Sequence, residues 1–139
     1  MLNSILNSTQ VSILEKALSA ASLRHKVISN NIANVNTPKF KKSEVSFEDQ
    51  LAAAMDAQST STPIARTHER HLPTKSTGIN VEPTINVVNT TSFRSDGSNV
   101  DIDTEMAGLA KNSIYYDAVA QQISKYFSNL KSVISGGRS

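Results

Sequence analysis

Apolar side chains recur at alternating steps of three and four from Val11 to Val35: Val11, Leu14, Leu18, Ala21, Ile28, Ile32 and Val35, with His25 the one polar member. That is the seam of a coiled-coil helix, predicted from about Thr9 to Val35. Thr37-Pro38 ends it, because the residue before proline is pushed out of the helical region. Asn34 and Asn36 suit the closing turn. The same rhythm returns near the other end in Met106, Leu109, Ser113, Tyr116, Ala120, Ile123, Phe127, Leu130 and Ile134. It predicts a helix from about Thr104 to Ile134, with Asp103 or Thr104 as its cap and Gly136-Gly137 just past its end. The two helices would be roughly 40 and 46 Å long. Matched length and period predict that they pair, antiparallel within one chain or with copies in others.

Each helix carries a second apolar stripe: Ile13, Ala17, Ala20 and Val27 on the first, Ala107, Ala110, Ile114 and Ala118 on the last, flanked by Val119, Tyr126 and Val133. A two-helix hairpin buries one seam per helix, so the second stripes need another cover. The middle segment folding back, or neighbouring subunits, would supply it.

All four prolines lie between residues 38 and 83, and four of the five glycines lie outside the predicted helices. The chain therefore divides into an N-terminal helix (1–37), an irregular middle (38–100) and a C-terminal helix (101–139). Within the middle, Phe47–Ala57 reads as a short helix with Ser46 as a cap. Ile79–Val88 alternates as a short strand or two, confined to an edge by Pro83. Ser95-Asp96-Gly97-Ser98 is a turn signal. The expected class is mainly α: long terminal helices pairing as a coiled coil, with a short helix and short β-strands between.

Composition sharpens this. Hydrophobic residues are 38% and aromatic residues 5% of 139. Ser, Thr and Asn together make up roughly three residues in ten, well above ordinary usage. Such a chain builds a thin core, which points to burial against other chains. There is no cysteine, hence no disulfide, thiolate metal site or cysteine nucleophile. A net charge of +2 is too mild for a nucleic-acid binder. No apolar run reaches the roughly 20 residues of a membrane span. The first eight residues lack the basic and apolar blocks of a cleaved secretory signal.

Candidate chemistry is sparse. His68 and His71 are spaced for one face of a helix, but a zinc site needs further ligands and no near spacing supplies them. His25 on an apolar seam reads as a packed interface histidine. Lys39-Phe40-Lys41-Lys42 reads as a solvated face or a protein contact. Asp96, Asp101, Asp103 and Glu105 lack calcium-loop spacing and suit turn and cap duty. No catalytic set, metal site or cofactor is expected.

The run Asn30-Asn31-Ile32-Ala33-Asn34 is more informative. Asparagine is a poor helix former, yet it recurs on a predicted helix. Its amides could bond to a neighbouring chain or merely cap a fraying end.

Asn30, Asn31, Ile32, Ala33 and Asn34, followed by Thr37 and Pro38, resemble the N-terminal signature of the flagellar basal-body rod and hook family. Members commonly continue with Gly-Tyr, where this chain has Lys39-Phe40. Asp96-Gly97-Ser98-Asn99-Val100-Asp101-Ile102-Asp103 resembles the segment before the C-terminal helix of the family's short proximal-rod members, and the C-terminal region through Asn112-Ser113 and Tyr115-Tyr116 also resembles those members. The resemblance implies a structural subunit, exported through the flagellar type III apparatus without signal cleavage. It would assemble in the periplasm into a helical tube that transmits torque and conducts export substrates. Implied partners are other rod subunits, the adaptor joining rod to membrane ring, the ring itself and the export gate. The implied assembly interface comprises Leu14, Leu18, Ile28, Asn30 to Asn34, Thr37, Pro38, Asp96, Gly97, Val100, Met106, Leu109, Tyr116, Ile123, Phe127 and Leu130. The competing expectation is a soluble coiled-coil adaptor or export chaperone.

Overall fold

The computed structural model describes residues 9–60, 81–90, 92, 95 and 97–136, with residues 57–60 as backbone alone. Three helices and two strands follow in order: α1 (Thr9–Ala33), β1 (Ser43–Ser46), α2 (Glu48–Thr60), β2 (Thr84–Val87) and α3 (Ile102–Gly136). The mainly α class holds, and the predicted short helix and strand are present. Two caps differ from expectation. Ser46 belongs to β1, and the carbonyl of Phe47 accepts the first bond of α2 from Leu51 N–H at 2.9 Å. At α3 the cap is Asp101, earlier than Asp103 or Thr104. Its carbonyl accepts from Glu105 N–H at 3.0 Å, its Oδ1 from Asp103 N–H at 3.1 Å, and its Oδ2 from the Thr104 hydroxyl at 2.8 Å.

Helix α1 unwinds gradually. Asn30 O accepts both the backbone N–H and the side-chain Nδ2 of Asn34, at 3.1 and 2.8 Å. Three-residue turns then carry the chain from Ile32 to Phe40. Lys39 takes φ 61°, the left-handed conformation that glycine adopts most freely. It is the position at which the resembling family commonly has glycine.

β1 and β2 pair antiparallel, Ser43 opposite Val87 and Ser46 opposite Thr84. Sequence periodicity finds β2 but misses its partner, because Ser43-Glu44-Val45-Ser46 offers one large apolar residue. A two-stranded ribbon is marginal alone, and side chains from elsewhere staple it. Asn99 Oδ1 accepts from Lys42 N–H and its Nδ2 donates to Val88 O, both at 2.7 Å. Arg24 donates to Val45 O at 3.3 Å and pairs with Glu48 at 2.6 Å.

The core is small. Ala17, Ala20, Phe47, Val81 and Val119 are buried together, with Ile13, Leu14, Leu18, Leu51, Ala54 and Ile123 packed against them. The second stripe of α1 is thus covered within the chain, by Phe47, α2 and Val81. Small alanines on α1 make room for Phe47, the largest fully buried side chain among the described residues.

α1 and α3 run antiparallel. Asn31 meets Glu105, Gly108 faces Ile28 so closely that a Cβ added there would lie 3.7 Å from the Ile28 Cδ1 methyl, and Asn112 reaches Ala21. At 25 and 35 residues the two helices are about 36 and 51 Å long. The face of α3 packed on α1 sits one position before the predicted seam. Glu105, Asn112 and Val119 are buried, whereas Met106, Tyr116, Phe127 and Ile134 are exposed. Apolar periodicity misplaces this face because two of its three buried residues are polar and are held there by hydrogen bonds.

Candidate assembly interface

The asparagine run is not uniform. Asn31 is buried and its amide is committed inside the chain: Oδ1 accepts from Ser43 N–H at 3.0 Å, and Nδ2 donates to Ser43 O at 2.9 Å and to Glu105 Oε2 at 3.1 Å. Asn34 spends its amide on Asn30 O and accepts from the Thr37 hydroxyl at 3.3 Å. Asn30, Ala33, Thr37 and Pro38 are exposed, and Ile32 is half-buried. One edge of this helix end therefore anchors β1 and α3 while the other faces outward.

Gly97, with φ 85°, lies against this turn, and a Cβ there would meet Lys39 Cγ at 3.8 Å. The two left-handed residues thus meet where the α1 exit crosses the α3 entry. Ser98, Asn99 and Val100 behind them are buried. Asp96 lies outside the described residues, as do His68 and His71.

Leu14 and Leu18 are half-buried and Ile28 is buried. On α3, Leu109, Ile123 and Leu130 are half-buried. Met106, Tyr116 and Phe127 present apolar surface to solvent, joined by Ile114 at 72% and Val133 at 75% exposure. Tyr126 and Phe127 touch edge to face at 5.8 Å. By helical spacing Tyr116, Phe127 and Ile134 share one face with Met106 at its edge, whereas Ile114 and Val133 belong to the second stripe and its flank. Exposed apolar side chains aligned in this way mark interaction surfaces.

Polar residues that the sequence pattern assigns to caps, or leaves unassigned, have structural roles. Asn112 is buried and donates to Ala21 O at 2.9 Å, while its Oδ1 makes no hydrogen bond. Glu105 is buried beside Asn31 rather than serving the cap. The spacing of seven through Glu105, Asn112, Val119 and Tyr126 is the signal that could have found them. His25 is exposed and lines a shallow cleft with Ser22, Asn112, Ser113 and Tyr116. Among the described residues no group of three or more His, Asp or Glu side chains is placed to hold a metal ion, and no helix is long and apolar enough to cross a membrane.

Residues 12–41, which span α1 and its unwinding turn, match the family described as flagella basal body rod protein. The chain is 40% identical over 125 residues to the flagellar basal body rod protein FlgB of Bacillus subtilis, covering 90% of this chain and 92% of that one. It is 34% identical to the FlgB of Borrelia hermsii, over 89% and 94% of the two chains. To the FlgB of Proteus mirabilis it is 31% identical, over 88% and 91%. With the family segment seated on α1 and the likeness running through β1 and α3, this chain belongs to the FlgB family of flagellar basal body rod proteins.

Proposed function

We propose that the chain is a structural subunit of the proximal rod, which packs with other rod proteins into a helical shaft. The observation that carries this reading is the exposed apolar face of α3 at Tyr116, Phe127 and Ile134, on a chain whose described core is a small cluster of Ala17, Ala20, Phe47, Val81 and Val119. Burying such surface releases roughly 25 cal/mol for each Å² removed from water, so the stripe drives assembly. Met106, Leu109, Tyr116, Ile123, Phe127 and Leu130 form the α3 contact. Leu14, Leu18, Asn30, Ile32, Ala33, Thr37 and Pro38 form the α1 side. Ile28, Asn31, Asn34, Gly97 and Val100 hold the shape of that surface. Terminal helices line the tube, the middle region 38–100 faces outward, and the rod transmits torque and passes later export substrates. Export proceeds through the type III apparatus without signal cleavage, into the periplasm. The neighbours are other rod subunits, the rod-to-ring adaptor, the membrane ring and the export gate.

Deletion of the gene tests this. Loss of motility with no hook added, and recovery of the chain in purified basal bodies, are the expected results. A motile deletion strain with normal hooks, or a chain that stays in the cytosol bound to a client as a chaperone would, overturns it.

A further inference from the structure

Glu105 is 8% exposed, yet its carboxylate has one side-chain hydrogen bond among the described residues, from Asn31 Nδ2 to Oε2 at 3.1 Å. Leaving a carboxylate so deeply placed without a countercharge is costly. The first turn of α3 supplies partial positive charge, less than an ammonium would. Glu105 lines an open groove of about 280 Å³ between α1, β1 and α3, together with Val27, Ile28, Gly108 and Glu44. Two cations also border the groove, but Arg24 is paired with Glu48 and Lys42 with Glu44, each at 2.6 Å. The groove thus offers an apolar wall for a methylene stem and one acid beneath it, the chemistry that accepts a lysine.

Lys131 has the matching character. It is exposed near the far end of α3 and forms no ion pair among the described residues. Phe127 and Ile134 stand at helical spacing on the same face, 41% and 62% exposed. We infer that the groove over Glu105 receives Lys131 from a second copy of this chain. Socket and lysine lie about 39 Å apart along one helix, so they form two different patches. A contact between different patches repeats from copy to copy instead of closing a pair, as a shaft requires. The inference rests on the rod-subunit reading and adds to it a specific contact.

Basal bodies purified from a strain carrying Thr104→Cys and Ser128→Cys, treated with a short bismaleimide, test it. The chain has no other cysteine. Thr104 is exposed on the groove rim and Ser128 is exposed one turn before Lys131, so Glu44, Lys42, Glu105 and Lys131 all keep their charges. A ladder of covalent oligomers of this chain is expected, absent from either single variant. Monomers alone, or links to a different rod protein, overturn the inference. Absence of the unmodified chain from basal bodies would instead sink the rod reading beneath it. Should the double variant fail to assemble, charge substitution decides. Lys131→Arg retains motility, and Lys131→Glu weakens copy-to-copy association at least about tenfold and reduces motility. A fully motile Lys131→Glu strain refutes the contact. In the purified chain, Glu105→Gln keeps the acceptor for Asn31 and leaves the urea midpoint at or above that of the parent. A midpoint lowered as far as by Asn31→Ala would mean that the charge is satisfied within one chain, which also refutes it.

Discussion

The side-chain amide of Asn31 faces the backbone of Ser43 as a neighbouring strand would, accepting from its N–H at 3.0 Å and donating to its carbonyl at 2.9 Å. A helix side chain thereby continues the β1 ladder on the side away from β2. Replacing Asn31 by Ala removes both bonds and the one to Glu105. It leaves partly buried backbone groups unpaired, so a loss of about 2–4 kcal/mol is expected. Asn31→Asp does at least as much harm, because it loses the donor and sets a carboxylate beside Glu105. Urea unfolding of the purified chain measures both, and a loss below about 1 kcal/mol for Asn31→Ala would show that water replaces the amide.

How far the sequence foretells this arrangement depends on what holds each element. Both terminal helices, the short helix and β2 are legible because apolar spacing or alternation defines them. β1 is not, since it is held by Asn31, Asn99 and Arg24 from distant parts of the chain rather than by its own side chains. The packed face of α3 is misplaced by one residue for the related reason that Glu105 and Asn112 occupy it. Apolar periodicity cannot count a buried amide as core. The asparagine run is legible as important, but only the fold separates Asn31, which ties three elements together, from exposed Asn30.

Lys39 holds φ 61° without being glycine. The left-handed region costs an L-residue roughly 1–2 kcal/mol, and glycine's greater freedom in the unfolded chain takes back part of that. Lys39→Gly is therefore expected to raise stability by about 0.5–1 kcal/mol. Lys39→Pro, whose ring fixes a negative φ, should break the turn and detach Gly97 from it. Thermal unfolding of the two variants should move in opposite directions, and a gain for the proline variant would contradict this backbone reading.

Acid should weaken the chain through two carboxylates. The side-chain hydrogen bond from Arg24 holds the Glu48 carboxyl below its usual range, against opposition from partial burial. The Thr104 hydroxyl does the same for Asp101. Both folded-state values lie below the unfolded ones, which are about 4. Their contribution is therefore complete above the unfolded values and is lost as pH falls through the folded ones. Asp101→Asn keeps the capping geometry without the charge. It should lose the charge's contribution near neutral pH and flatten the acid limb, as should Glu48→Gln to a lesser degree because Glu48 is more than half exposed. Stability measured from pH 7 down to about 2 by urea titration tests the sign. A steeper acid limb in Asp101→Asn would reverse it.

Asn112 is a buried amide half satisfied, with Nδ2 bonded to Ala21 O and Oδ1 bonded to nothing. Ala21 O belongs to a helix and keeps its own backbone donor when Asn112 is replaced. Asn112→Leu therefore removes one desolvated acceptor while keeping the branched outline with bulkier methyl groups, and is expected to be neutral or to stabilise by up to about 1 kcal/mol. A loss above about 2 kcal/mol would mean that a donor reaches Oδ1 in solution.

The clearest separation of folding from assembly comes from two phenylalanines. Phe47 is 1% exposed at the centre of the core, and Phe127 is 41% exposed on the α3 stripe. Phe47→Ala should cost about 3–5 kcal/mol, enough to unfold much of a chain with so small a core. Phe127→Asp gives up an edge-to-face contact with half-buried Tyr126 and should lower stability by no more than about 1 kcal/mol. In cells, however, it sets a charge where the rod-subunit reading places an apolar contact, and burying that charge unpaired is prohibitive. Phe127→Asp should therefore give a folded chain, absent from basal bodies, in a non-motile strain. Leu130→Asp, half-buried on the same helix, should block assembly as well while also lowering stability. If Phe127→Asp strains swim normally and incorporate the subunit, the α3 stripe is not the assembly surface, and the half-buried side chains of α1 become the place to look.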